Sequence, residues 1–410
     1  MERAAGSRAS TATPTRGSLG DPAIKGSVRL GSYLRSLRQG YGFSLRKVEE
    51  RARQNGGEID NSQLSRYEKG LCYPSFDKLR TLARIFNVSI QTFSDVVDLE
   101  ELERQLPDGD DARLLFDQGQ RAFQLGDYAD AYGRFQKARM LAEEAASDED
   151  GDDLADRARL SAAVTLYRMG KISLCEFEIR QLLRRPERLS PGLVVHALLQ
   201  LSNAHAALGD LLLAELEAER SLRAASEAGD RSLEAYAHHA LGHVLQERAA
   251  WDDAARHYHA GLALYRELDD EHGALKIKLN LGQLYAARGQ FNQGRRLLME
   301  VHEEARARGH RWTVARAASL LGEIHAQKGD GQTARRHLRE SNAVASGGEV
   351  QFTDILFVNA FYTWRLALAE GREAEARIAF GRLKYLRPNI EEMHPEVRAF
   401  DRLIEEGGRS

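Results

Sequence analysis

The run Asp60-Asn61-Ser62-Gln63-Leu64-Ser65-Arg66-Tyr67-Glu68-Lys69-Gly70 holds the residues with the clearest chemistry in this 410-residue sequence. Asn61, Ser62 and Gln63 are short polar side chains able to hydrogen-bond base edges, and Arg66, one helical turn on, can take a guanine or a phosphate. Arg46, Lys47 and Lys69 are phosphate candidates, which position a protein on nucleic acid without specifying sequence. The charge around them agrees. From Lys25 to Ile90 there are 13 Lys/Arg against 6 Asp/Glu, and from Gln91 to Asp111 there are 8 Asp/Glu against one Arg. A basic block followed by an acidic linker fits a nucleic-acid-binding head on a more acidic body.

Bond-making chemistry finds little support. Histidines cluster at His238, His239, His243, His257 and His259, and His239 and His243 stand four apart, as metal ligands on one helix face would. No nearby cysteine or well-placed carboxylate completes a tetrahedral set, so neither a metal nor a cofactor is expected. The Gly-x-x-x-x-Gly pattern lacks the Lys-Ser/Thr of a phosphate loop, and no Gly-x-Ser-x-Gly occurs. Without a catalytic dyad, an enzyme is not expected.

The elements that must position the polar run can be read around it. Val28 to Arg38 has apolar residues at helical spacing, and Ser44 caps a second helix through Val48. Asp60 caps a third, which ends at Gly70. Pro74-Ser75 opens a fourth with Phe76, Leu79, Leu82, Ala83 and Phe86 inside, and Asn87-Val88-Ser89 turns into a fifth. The run Leu64 to Gly70 followed by Pro74-Ser75 resembles the helix-turn-helix domain of the Cro/phage-repressor, or XRE, family. That resemblance implies that the third helix lays its N-terminal residues in the DNA major groove. It also implies that Leu64 and Tyr67 face inward, and that Arg38 and Glu68 form a partly buried pair tying the first helix to the third. The sequence departs from the family at Arg53-Gln54-Asn55-Gly56-Gly57, which reads as an insertion between the second and third helices.

The rest of the chain is periodic. Leu201, Leu241, Leu281 and Leu321 recur every forty residues, followed by Ser202, Gly242, Gly282 and Gly322. Turn residues follow at Gly209, Ala249, Gly289 and Gly329, then small residues at Ala214, Ala254, Gly294 and Ala334. A fixed period of this size marks stacked helical hairpins, in which neither helix can bury its apolar face alone. Earlier repeats are read from Ala112 to Ala138 and around Ala163, Gly170, Cys175 and Ile179, and a seventh around Gly371, Ala376 and Phe380. These hairpins resemble tetratricopeptide repeats with lengthened helices, like the sensor part of bacterial peptide-responsive regulators.

The expected fold is therefore all-α: a five-helix helix-turn-helix domain, then an α-solenoid of tetratricopeptide-like hairpins. The expected boundaries are a disordered tail at 1–25, the DNA-binding domain at 26–97, an acidic linker at 98–111 and about seven hairpins at 112–405. An exposed loop is expected from Asp148 to Asp153. Projecting the register puts His196, Tyr236, Lys276 and Arg316 in one concave row, Leu199, His239, Leu279 and Ser319 in a second, and Asn203, His243, Gln283 and Glu323 in a third. Such a mixture suits an extended peptide, with Asn and Gln pairing its backbone. Candidate ligand-binding residues are Asn203, His239, His243, Gln283, Tyr236, Lys276 and Arg316. No apolar run of about twenty residues is present, so no membrane span is expected. Cys72 and Cys175 lie in different units and read as free thiols of a reducing cytoplasm. The expected function is that of a cytoplasmic, homodimeric, sequence-specific transcriptional regulator that binds double-stranded DNA, and whose repeats mediate dimerisation and sense a ligand, a short peptide or a protein, in their groove. The alternative is a scaffold whose repeats dock a protein partner while the head localises it to DNA.

Overall fold

Every regular element among the described residues is helical. The structure, a computed structural model, describes residues 26–145, 153–348, 351–390 and 395–407. The tail at 1–25 and most of the acidic loop from Asp148 lie outside them. The chain divides into two compact units, one ending at Glu100 and the next starting at Glu101.

The first unit holds α1 (Val28–Gly40), α2 (Leu45–Gln54), α3 (Asn61–Glu68), α4 (Phe76–Phe86) and most of α5 (Ile90–Glu103). Short polar residues set the starts. Ser27 Oγ accepts from Leu30 N at 2.9 Å, Ser44 Oγ from Lys47 N at 3.2 Å, and Asp60 Oδ1 from Gln63 N at 2.7 Å. Each satisfies a donor that the first turn leaves unpaired. The end of α3 is fixed as firmly. Gly70 is left-handed, and Leu71 N bonds back to Arg66 O at 3.0 Å, the wrap-around that stops a helix at glycine. Leu30, Leu34, Val48, Leu64, Leu82, Phe86 and Phe93 fill the core. At Gly31 the backbones of α1 and α3 meet, since a Cβ there would lie 2.5 Å from Tyr67 O. The residues read as an insertion are largely ordinary helix ending. Arg53 and Gln54 close α2, Asn55 caps it, and Gly57 N bonds to Ala52 O at 2.9 Å. Buried Ile59 then anchors the chain before α3.

The segment expected as an acidic linker is only partly irregular. Residues 98–103 are the last turns of α5, because Leu99 is fully buried and holds the helix down. Glu103 Oε1 accepts from Tyr132 Oη at 3.1 Å, and Asp111 caps the next helix.

The second unit is a row of hairpins: α6 (Ala112–Leu125) with α7 (Tyr128–Ala145), α8 (Asp153–Arg168) with α9 (Ile172–Leu182), α10 (Pro191–Ala207) with α11 (Leu211–Ala228), α12 (Arg231–Glu247) with α13 (Trp251–Glu267), α14 (Glu271–Ala287) with α15 (Phe291–Ala307), α16 (Arg311–Gln327) with α17 (Gly331–Ser346), and α18 (Thr353–Ala369) with α19 (Glu373–Leu386). A last helix, α20 (Pro395–Gly407), lies against α18. First helices of successive hairpins touch one another, and each second helix packs between its own first helix and the next. The first helices thus form the inner row.

The repeated glycines have a packing cause. A Cβ at Gly242 would lie 2.7 Å from the Tyr258 ring; at Gly282 and Gly322 it would lie 2.7 Å from Leu298 and Leu338. Each glycine is the seat for a large side chain on the second helix. In the third hairpin Ser202 stands at the glycine position and buried Ala218 at the large one, so the sizes compensate. Ser202 Oγ donates to Ala214 O at 2.7 Å. Leu201, Leu241, Leu281 and Leu321 are each only 2% exposed beside this contact. Unlike the other first helices, α18 is buried without interruption from Ile355 to Tyr362, because Val397 and Phe400 of α20 share its core cluster.

Candidate nucleic-acid interface and groove

The helix α3 presents its polar residues at its start. Asn61 and Ser62 are exposed and Gln63 is half-buried, while Leu64 and Tyr67 point into the core. Arg66 is exposed one turn on, and Lys69 is exposed at the helix end. Arg46 is exposed on α2, whereas Lys47 Nζ donates to Glu50 Oε2 at 2.8 Å. That neighbour holds the exposed Glu50 carboxyl below the usual carboxylate range. An exposed pair of this kind is weak and yields readily to a phosphate. These side chains together form a surface of hydrogen-bonding groups and cations, without a catalytic group.

One ion pair fixes where that surface sits. Arg38 Nε donates to Glu68 Oε1 at 2.6 Å, and Arg38 Nη2 to Glu68 Oε2 at 2.8 Å. The side chains are 14% and 7% exposed, and Arg38 Nη1 also donates to Phe43 O at 2.9 Å. One guanidinium therefore ties α1 to the last turn of α3 and to the loop before α2. Two-point geometry of this kind fixes direction as well as distance.

A residue of α4 joins this surface that the sequence did not bring out. Lys78 Nζ donates to Gln63 Oε1 at 2.8 Å. The two are fifteen positions apart on different helices, and no periodicity links them.

On the inner row of the repeats, Asn203, His243, Gln283 and Glu323 occupy equivalent positions of α10, α12, α14 and α16. Asn203 and His243 are exposed and Gln283 is half-buried. The fourth residue differs in kind. Burial, with Glu396 nearby, pushes the Glu323 carboxyl up against the opposing influence of Arg316. Tyr362 Oη, beside it, donates to Glu396 Oε1 at 3.1 Å. In another row the His196 and Tyr236 rings stand 5.6 Å apart, so equivalent residues of successive hairpins are within contact. Half-buried Lys276 lies near His239. His239 Nε2 accepts from Asn280 Nδ2 at 2.7 Å, a partner missed because it belongs to a different helical row. Burial, then His243 and Lys276, bring the His239 imidazole down to about 4, so it is neutral near pH 7.

Of the remaining clustered histidines, two pair with each other, and His259 Nε2 lies 3.2 Å from Tyr285 Oη. His238 Nδ1 and His257 Nδ1 are 2.9 Å apart, so one nitrogen accepts. Burial and the neighbouring ring bring His257 to about 4. Among the described residues no group of three His, Cys, Asp or Glu could hold a metal ion. Cys175 is buried and its thiol is pushed up to about 12 by that burial, while Cys72 is half-buried; both are free. No described helix is long and apolar enough to cross a membrane.

Residues 29–93 match the family described as helix-turn-helix domain. No curated protein sequence matches the chain. Solved structures resemble it in fold. A Rap protein complexed with competence and sporulation factor is 14% identical, over 88% of this chain and 97% of that one, with a TM-score of 0.50. NprR in complex with its cognate peptide NprX is 14% identical, over 72% of this chain and 84% of that one, with a TM-score of 0.50. The apo form of RapI is 13% identical, over 68% of this chain and 98% of that one, with a TM-score of 0.53. The chain thus carries a helix-turn-helix domain followed by repeats with the fold of solved tetratricopeptide-like proteins.

Proposed function

We propose that the protein is a cytoplasmic, homodimeric transcriptional regulator that reads a specific DNA sequence through α3 and binds a short peptide on the inner face of its repeats. The observation that carries the DNA reading is the doubly capped α3, clamped by Arg38 and Glu68, with Asn61, Ser62 and Arg66 turned to solvent. Asn61, Ser62, Gln63 and Arg66 contact bases, and Arg46, Lys47 and Lys69 contact phosphates. Peptide binding is supported by the mix of amides, imidazoles, a phenol and cations on the inner rows: Asn203, Tyr236, His239, His243, Lys276, Gln283 and Arg316. It is also supported by likeness to repeat proteins solved with a cognate peptide or with competence and sporulation factor. Peptide changes DNA binding to the extent that it favours one arrangement of the repeats over another.

A second reading keeps its place because Asn203 and His243 are exposed. An open row there would also serve a scaffold that docks a protein partner while the head holds it on DNA. Sequencing of chromosomal DNA co-purified with the full chain, with and without culture-supernatant extract, tests the proposal. The expected result is a motif made of two half-sites, enriched differently when extract is present. Random genomic fragments would refute the regulator. A motif indifferent to extract would favour the scaffold.

A further inference from the structure

Lysine carries three donors and no acceptor, so the group of Gln63 that faces Lys78 at 2.8 Å is its carbonyl oxygen. The usual uncertainty over which way a glutamine amide points is removed by its partner. The Gln63 backbone N–H is also fixed, by the Asp60 cap. Both ends of the side chain are thereby held, and among the described residues nothing accepts from its Nε2. With the carbonyl on Lys78, Gln63 turns its amide N–H groups away from α4.

From this we infer that Lys78 is a specificity-determining residue, which makes Gln63 a donor-only reader of a guanine edge. The inference rests on the reading of α3 as the helix that enters the major groove. A free glutamine reads adenine with both ends of its amide, giving N–H to N7 and accepting from the N6 amino group. A glutamine whose oxygen is held by an ammonium has lost part of its accepting capacity. The nearby positive charge also repels the donor N6 amino group of adenine. Guanine presents only acceptors there, O6 and N7, and suits an amide that offers only N–H. Donation from Lys78 polarises the amide and strengthens those donors. Lys78 need not touch the base at all. It acts by deciding which half of Gln63 does.

The test is selection of bound DNA from a randomised pool by the full chain and by three variants. The wild type should prefer guanine at one position of each half-site. Gln63→Ala should lose preference at that position and no other. Lys78→Met frees the carbonyl and should shift the guanine-to-adenine ratio there by about tenfold toward adenine, the size of a modest base discrimination. Lys78→Arg, which still donates, should keep guanine. If Lys78→Met weakens all sequences alike, Lys78 is a phosphate contact and the inference fails. It fails equally if Lys78→Met leaves the ratio unchanged, or if Gln63→Ala leaves every position intact. A wild-type chain that selects no motif would overturn the reading of α3 itself, and this inference with it.

Discussion

Removing the carboxylate of Glu68 should unfold the helix-turn-helix unit at a temperature that leaves the repeats intact. In the folded unit Arg38 makes three hydrogen bonds: two to Glu68, at 2.6 and 2.8 Å, and one to Phe43 O at 2.9 Å. Glu68→Ala deletes the two charged ones and leaves a guanidinium that is only 14% exposed. Breaking a buried pair from one side costs about 3–5 kcal/mol. The lower end applies, since Arg38 keeps a carbonyl partner and some access to water. The unit contains about 75 described residues, for which total stability is on the order of 4–11 kcal/mol. A loss of about 3 kcal/mol lowers the melting point of such a domain by roughly 12–24 °C. Calorimetry of the full chain should therefore show one transition moving down by that amount while the repeat transition stays in place. Arg38→Met combined with Glu68→Leu should recover most of the loss, because no uncompensated charge remains. A head transition shifted by less than about 4 °C, little more than 1 kcal/mol at most, would refute the argument.

Four further outcomes follow from particular contacts. Asn61→Ala or Arg66→Ala should weaken binding to the selected operator by about 1–3 kcal/mol, and for Asn61 a gel-shift titration should show random DNA nearly unaffected; equal loss on both would remove it from base reading. Ala249 holds a left-handed turn at φ 59°, where equivalent turns have glycine at φ 84°, 81° and 77°. That conformation costs a non-glycine residue about 1–2 kcal/mol, partly offset by the entropy glycine loses on folding. Ala249→Gly should thus raise stability by about 0.5–1 kcal/mol in urea titration, and a loss would contradict the strain. His239 is depressed to about 4 in the folded repeats, below the ordinary histidine value, so its contribution is complete above about pH 6.5 and is lost as pH falls toward 4. Between pH 6.5 and 5 the repeat transition should fall more steeply with acid in the wild type than in His239→Gln, and parallel curves would exclude His239 as a cause. Asn203→Ala with Gln283→Ala should abolish the response to peptide in a reporter assay while basal DNA binding is unchanged; a normal response would move the site elsewhere.

The fold was legible where backbone and packing constraints repeat, and illegible where one side chain meets another across helices. The forty-residue period could be read because every turn and every close helix contact needs a small residue. Even the exception at Ser202 has its reason in Ala218, which removes the large side chain that glycine accommodates elsewhere. The caps of α2 and α3 were readable because Ser44 and Asp60 act on donors three residues away. The extent of α5 into the acidic segment was not, since the burial of Leu99 overrides the charges around it. The helix α20 left no repeat signature of its own. Its trace is on α18, whose run from Ile355 to Tyr362 is apolar almost all round and therefore needs cover on more than one side. Lys78 and Asn280 escaped for a plainer reason. Each acts through a partner on another helix, Gln63 and His239 respectively.

The same division explains why two amide changes, not one, belong in the groove test. The hairpins constrain Leu201, Leu241, Leu281 and Leu321 and the small residues beside them, yet leave the third inner row free to vary. Its members are Asn203, His243, Gln283 and Glu323, an amide, an imidazole, an amide and a half-buried acid. An extended peptide laid along them must pair backbone groups as it leaves water, and each pairing left unmade over a buried donor costs about 1–3 kcal/mol. Moving a two-state regulator from almost wholly off to almost wholly on requires about 5.5 kcal/mol of differential binding. A single rung supplies at most about half of that, so its loss should leave a graded response. Removing both amides takes away up to about 6 kcal/mol, as much as the whole switch requires. A single variant as silent as the double would mean that the rungs act as one cooperative unit, and a double variant as responsive as either single would mean that the peptide is held by the cations Lys276 and Arg316 instead.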